Sequence, residues 1–267
     1  MPITAIRRYS VENHIRRADA LRTSWPSSGE LLETYKQVLQ FQGSLGDRLE
    51  RSNFFRDDVS LGSQLNLSPL LPQFKDLLHL FAHSNQTDLA QTARQIETAG
   101  LPYWETLFRR YWAHGESADA EEFFARTFLQ PVAEHLAHKA GVSGTNQGRP
   151  ICPYCGHKPV CGVLRPEGDG AKRSLICSLC STEWEYRRMV CPGCEQEDIK
   201  RLPVFTAESC AYIRIEACDA CQTFIKTIDL TKDGRAIPVV DELASLPLTL
   251  WAEEKGYHKL QSNLLLM

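Results

Sequence analysis

ICPYCGHKPVCGVLRPEGDGAKRSLICSLCSTEWEYRRMVCPGCEQEDIKRLPVFTAESCAYIRIEACDACQTF, residues 151–224, holds all ten cysteines of a 267-residue chain. Eight of them form four C-x-x-C pairs: Cys152 with Cys155, Cys177 with Cys180, Cys191 with Cys194, and Cys218 with Cys221. Two residues between two thiolates let a tight turn aim both sulfurs at one ion, while its backbone N–H groups spread their charge. Two such knuckles complete a tetrahedral S4 site. There are 21 residues between the first two pairs, 23 between the last two and 10 between the second and third. The simplest arrangement is two sequential units, 152–180 and 191–221, each binding one ion and together forming an internal repeat. Shorter loop closure favours this pairing, although spacing also allows second with third and first with fourth.

Around the knuckles the apolar period is two. Trp184, Tyr186 and Val190, and then Ile213, Ile215 and Ala217, alternate as in short strands or hairpins. Cys152-Pro153-Tyr154-Cys155 has the letters of a glutaredoxin dithiol, but Gly156, His157, Lys158 and Pro159 follow where that site needs a helix. Glycine after the second cysteine suits a knuckle, and the other three knuckles lack it. Cys161 and Cys210 belong to no pair and read as small buried hydrophobes. Four thiolates suit zinc or iron alike.

Upstream of residue 141 the period is helical. Ser27-x-x-Glu30 reads as a capping box before a stripe of Leu31, Tyr35, Val38, Gln42 and Leu45. Ser68-Pro69 opens a second helix with Leu70, Phe74, Leu77, Leu78 and Phe81 on one face. A third helix runs from Thr87 to Gly100, and a fourth carries Trp104, Leu107, Phe108, Tyr111 and Trp112. A fifth covers 118–140, kinked or divided by Pro131. GVSGTNQGRP, residues 141–150, reads as a linker. The expected fold is therefore α+β in two parts: a helical domain, 1–145, and a β-rich double rubredoxin-like or zinc-ribbon-like region, 146–267. A helix over Asp241 to Lys255 is expected to close the second part.

Composition narrows the function. Thirty Lys and Arg against 33 Asp and Glu, a net charge of −3, exert no general pull on nucleic acid or anionic lipid. Eight thiolates around two ions make the cysteine half more anionic still. The N-terminal stretch lacks the apolar core of a secretory signal, and no apolar run approaches the roughly 20 residues that cross a bilayer. The chain is thus expected to be cytoplasmic, with its thiols reduced or metallated. His79 with His83, and His135 with His138, have ligand spacing but no obvious third donor. The doublets Arg109-Arg110, Lys172-Arg173, Arg187-Arg188 and Lys200-Arg201 read as solvated faces. No nucleophile elbow, P-loop or dinucleotide motif is present, and no catalytic residue is assigned.

The four knuckles, Ser181-Thr182-Glu183-Trp184, and the tail EACDACQTFIKTIDLTKDG from Glu216 with VVDELASLPLTLWAEEKGYHKLQSNLL resemble the formate dehydrogenase accessory protein family, FdhE. The resemblance spans essentially the whole chain. It implies a cytoplasmic factor needed for the activity of respiratory formate dehydrogenases, which are molybdenum or tungsten selenoenzymes exported by the twin-arginine route. It further implies binding of their catalytic subunit before export, and iron at rubredoxin-like sites that fall here on Cys152, Cys155, Cys177, Cys180, Cys191, Cys194, Cys218 and Cys221. On this reading the protein is a binding module and not an enzyme. A rubredoxin-like redox carrier or reductase is the alternative, and a nucleic-acid-binding zinc ribbon ranks last.

Overall fold

The structure, a computed structural model, describes residues 11–51, 67–84, 86–114, 120–141 and 148–265. Six helices come first: α1 Val11–Ser24, α2 Gly29–Arg51, α3 Leu71–Ala82, α4 Thr87–Ala99, α5 Leu101–His114 and α6 Ala120–Lys139. Most residues of the stripes read from sequence are buried, although Leu31, Gln42 and Trp112 are only half-buried and Leu32, Leu39 and Leu49 complete the buried face of α2. Leu70, Phe74, Leu77, Leu78 and Phe81 are all within 1% of full burial. Phe74 meets Trp104, Phe108 and Phe128 edge-on, with ring centroids 4.6 to 5.2 Å apart. Gly100, at φ +75°, ends α4 as expected. Pro131 lies inside α6 without dividing it. A 3-10 turn, Pro26–Ser28, precedes α2, and the buried Ser28 hydroxyl donates to Ala244 O at 2.7 Å. Most of the expected linker, 142–147, lies outside the described residues.

The second half forms one sheet from β1 Pro159–Glu167, β2 Gly170–Cys177, β3 Glu183–Glu185, β4 Val204–Thr206, β5 Ile213–Cys218, β6 Thr223–Asp229 and β7 His258–Lys259. Its order is β3-β2-β1-β6-β5-β4, with β7 added to β6. The repeat is visible in the pairing. Each unit is an antiparallel meander of three strands, β1-β2-β3 and β4-β5-β6. The two units share one sheet. They fuse where β1 runs parallel to β6, with Gly162 opposite Thr227 and Leu164 opposite Asp229. A Cβ on Gly162 would lie 2.3 Å from Thr227 Oγ1, so this seam requires glycine.

The expected closing helix is two helices, α7 Pro238–Ala244 and α8 Leu246–Glu254. They break at Ser245, where ψ reaches 39°, because Pro247 in the first turn of α8 cannot continue the α7 ladder. The short α7 joins the two halves of the molecule. Asp241, fully buried, accepts from Arg17 Nε of α1 at 3.0 Å, from the Tyr212 hydroxyl at 2.9 Å and from the Ile237 amide at 2.8 Å. Glu242, also fully buried, pairs with Lys226 Nζ of β6 at 3.1 Å and with Lys259 of β7. One apolar core runs from Leu21 and Phe74 in the helices to Leu175, Leu179 and Trp184 in the sheet.

Candidate metal centre

Each knuckle is a tight chain reversal, those at Cys177 and Cys218 closing the ends of β2 and β5. The amide after the second cysteine donates to the carbonyl of the first: Gly156 to Cys152 at 3.0 Å, Glu195 to Cys191 at 2.9 Å and Gln222 to Cys218 at 2.8 Å. That geometry puts the donor residue in the left-handed region. Gly156 sits at φ +78°, and Ser181, Glu195 and Gln222 adopt φ +53°, +59° and +57° without being glycine. The missing glycines therefore mark no change of conformation, only a steric cost of about 1 kcal/mol each. Amides aim at the sulfurs as well, Leu179 N to Cys177 Sγ at 3.3 Å and Gly193 N to Cys191 Sγ at 3.2 Å. The repeat extends to a threonine two residues past the last cysteine of each unit. Thr182 Oγ1 lies 3.1 Å from Cys180 Sγ, and Thr223 Oγ1 lies 3.0 Å from Cys221 Sγ.

The knuckles meet in sequential pairs. Cys152, Cys155, Cys177 and Cys180 form one tetrad and Cys191, Cys194, Cys218 and Cys221 another, the sulfurs of each lying within 4.8 Å of one another. The nearest Sγ–Sγ approaches are 3.5 Å for Cys152–Cys180, 3.3 Å for Cys155–Cys177, 3.6 Å for Cys191–Cys221 and 3.7 Å for Cys194–Cys218. No cysteine is in a disulfide. Four sulfurs about 2.3 Å from a common ion stand about 3.8 Å apart on the edges of a tetrahedron, so both tetrads have the size of a metal-thiolate site. Burial pushes the Cys177 and Cys180 thiols well up and Cys191 to about 12, while hydrogen bonds from Cys152, Cys177 and Cys180 pull Cys155 down. Buried thiols packed this closely become four thiolates only around a cation.

Among the described residues, these tetrads are the groups of three or more His, Cys, Asp or Glu donors close enough to share an ion. The histidine pairs are used elsewhere. His79 Nε2 lies 2.7 Å from Glu97, while His135 is buried and His138 exposed on α6. The basic doublets largely contribute to ion pairs: Arg110 with Glu121, Lys172 with Glu185, Arg173 with Glu216 and Arg187 with Glu197. Cys161 is fully buried in β1 beside Val163 and Ile176, and Cys210 is buried in a 3-10 turn. Trp184, Tyr186 and Trp104 are core residues, their polar ends satisfied by the carbonyls of Arg149, Cys191 and Ile96.

The supporting shell was not evident from sequence. Arg126 of α6, 1% exposed, spans the gap to the sheet. Its guanidinium donates to Ser178 O in the second knuckle at 3.3 and 3.1 Å, and to Ser262 O and Asn263 O at 2.8 and 2.7 Å. Ser181 in the same knuckle donates to Glu134 of α6 at 2.5 Å. The Tyr111 ring of α5 lies 5.7 Å from that of His157, just past the first knuckle. The helical layer thus grips both knuckles of the first tetrad.

Comparison with known proteins gives one consistent answer. Residues 177–266 match the family model "FdhE, C-terminal domain" and residues 151–188 match "FdhE, central domain". A protein FdhE homolog of Aquifex aeolicus is 28% identical over 262 residues, covering 93% of each chain. A Pseudomonas aeruginosa homolog is 36% identical over 152 residues, 54% of this chain and 48% of that protein. The crystal structure of the FdhE protein from Pseudomonas aeruginosa superposes with a TM-score of 0.72 at 25% identity, covering 98% of each chain.

Proposed function

Because this chain belongs to the FdhE family, we propose that it is a cytoplasmic accessory protein of formate dehydrogenase maturation, binding the catalytic subunit before twin-arginine export. The observation that carries this reading is the match of the whole architecture, helical layer and double-tetrad sheet together, to an FdhE structure over 98% of both chains. The protein acts as a binding module. Its helices and sheet share one core and form a composite surface for the immature client.

Cys152, Cys155, Cys177 and Cys180 would hold one metal ion, and Cys191, Cys194, Cys218 and Cys221 a second. Iron is favoured by family resemblance, and zinc suits the same sulfurs. Bound metal supplies fold stability and, if it is iron, sensitivity to oxygen. The knuckles order around it, so its loss loosens the sheet that faces the client. No described helix is long and apolar enough to cross a membrane.

The test is a pull-down of the catalytic subunit, with its export signal intact, by protein purified without oxygen, alongside metal analysis of the same sample. Capture by the metallated protein is expected. Failure to capture under any metal state would refute the accessory reading. Unchanged capture after stripping would refute only the metal dependence. A redox carrier is the second reading, favoured by the exposure of Cys194 at the second tetrad. It requires reversible bleaching of iron-thiolate bands at a physiological potential, and a colourless zinc protein would rule it out.

A further inference from the structure

The two tetrads share a sequence pattern and differ in surroundings. In the first, Cys152, Cys177 and Cys180 are 2%, 1% and 3% exposed, and Cys155 is half-buried. All four pack in or against the main core that runs up into the helices. Both knuckles are held from above by Tyr111, Arg126 and Glu134. In the second, Cys191 and Cys218 are buried, Cys221 is half-buried and Cys194 is exposed. Cys191, Cys218 and Cys221 share a small separate cluster with Leu202, and Cys194 lies outside it. Cavities border both tetrads, one of about 590 Å³ touching Gly193, Cys221 and Thr223 as well as Ile151 and Lys158, the other of about 510 Å³ touching Cys177, Ser178 and Ser181, so the difference lies in the sulfur-bearing residues themselves and in the exposure of Cys194.

A chelated ion leaves by losing one ligand at a time, and each loss needs water, a proton or a competing donor at the sulfur. Where one sulfur already faces solvent, a local opening suffices. Where the sulfurs lie under a packed layer, a larger part of the fold must open first. We infer that the two metal positions are kinetically unequal. The Cys191–Cys221 tetrad exchanges its metal and admits an external thiol or chelator at the corner held by Cys194, whereas the Cys152–Cys180 tetrad stays closed until the helical layer lifts. In such an exchange Cys194 Sγ would be the ligand displaced and the incoming sulfur would take its place. The proton of the incoming thiol passes to Cys194, so no oxidant or reductant is consumed. This inference rests on the proposed metal content and makes one tetrad the keystone of the fold and the other its chemically open site.

The experiment uses the full chain as isolated, with metal content measured first. The protein is challenged with 4-(2-pyridylazo)resorcinol, with and without glutathione, and released metal is read by absorbance. Isotopically light N-ethylmaleimide is present during release, and heavy reagent is added after denaturation. Half of the metal is expected to leave at least roughly tenfold faster than the rest, and glutathione should accelerate only that phase. Light label should reach Cys194 first, then Cys191, Cys218 and Cys221, while Cys152, Cys155, Cys177 and Cys180 stay heavy. A chain isolated with one ion per molecule supports the inference if the protected set is 152–180. A single release phase, equal labelling of both tetrads or protection of 191–221 overturns it while the metal reading stands. Protein without bound metal, with all eight cysteines labelled together, refutes the metal reading and this inference with it.

Discussion

Replacing Arg126 by methionine removes the tie between the helical layer and the first tetrad. The guanidinium is 1% exposed and serves three main-chain carbonyls, those of Ser178, Ser262 and Asn263. Methionine roughly preserves volume, so the cavity contribution is small. Each buried carbonyl left without its donor costs about 1–3 kcal/mol. Against this stands the relief of no longer burying a cation, which offsets several kcal/mol. The three carbonyls together cost about 3–9 kcal/mol and the relief offsets several of these, so the net loss should be about 1–4 kcal/mol. With a urea dependence of about 3 kcal/mol/M, the unfolding midpoint should fall by about 0.3–1.3 M. The assay is urea unfolding followed by far-ultraviolet circular dichroism on protein of equal metal content. Amide exchange should also rise in the second knuckle, around Ser178 to Cys180. Arg126→Lys should fall in between, because one ammonium cannot span the sites of a planar fork. A midpoint shift below about 0.3 M for Arg126→Met would mean that relief of desolvation cancels the lost bonds, refuting the role given to this residue.

Gly162→Ala should destabilise the protein by about 1–3 kcal/mol in thermal or urea unfolding, because its Cβ meets Thr227 Oγ1 at 2.3 Å across the parallel seam. In a Thr227→Ala background the penalty should shrink, and an equal penalty in both would exclude that contact as its cause. Glu195 is exposed at φ +59°, so Glu195→Gly should raise stability by about 0.5–1 kcal/mol while Glu195→Ile lowers it. The opposite order would show that the knuckle does not require the left-handed conformation. Burial lowers Lys226 from 10.5 to about 8, with Lys259 adding to the shift and Glu242 opposing it. Between those values the unfolded chain binds more protons than the folded one, so stability contributed by this site rises with pH. Its full penalty is present below pH 8. From pH 8 to 10.5 wild type should gain on the order of 2 kcal/mol relative to Lys226→Met. Parallel pH profiles for the two proteins would refute the shift.

Local pattern accounts for what the sequence disclosed. Leu70 to Phe81 and Trp104 to Tyr111 repeat with the helical period, and their buried faces followed directly. The four knuckles carry their geometry in two-residue spacings, and their sulfurs meet in the sequential pairing that shorter loop closure favoured. What stayed hidden depends on contacts between distant residues. Arg126, Lys226, Asp241 and Glu242 are single charges without a periodic signature, and nothing local marks them as buried. Their partners lie on other elements. The β1–β6 seam joins residues more than sixty positions apart and merges the two units into one sheet, leaving Gly162 as its only local trace. Glycine was an unreliable guide at the knuckles, because Ser181, Glu195 and Gln222 accept a conformation for which only Gly156 is the easy choice.

The clasp between Arg17 and Asp241 also sets a timetable for biosynthesis. The two residues are 224 positions apart. At translation rates of about 5–20 residues per second, the wait for the partner is roughly 10–45 s. Throughout that interval the face of α1 that later docks on α7 has no native cover. Until α7 arrives, that face of the helical layer stays open to non-native contacts, so the last part of the chain to be made is the part that closes the first.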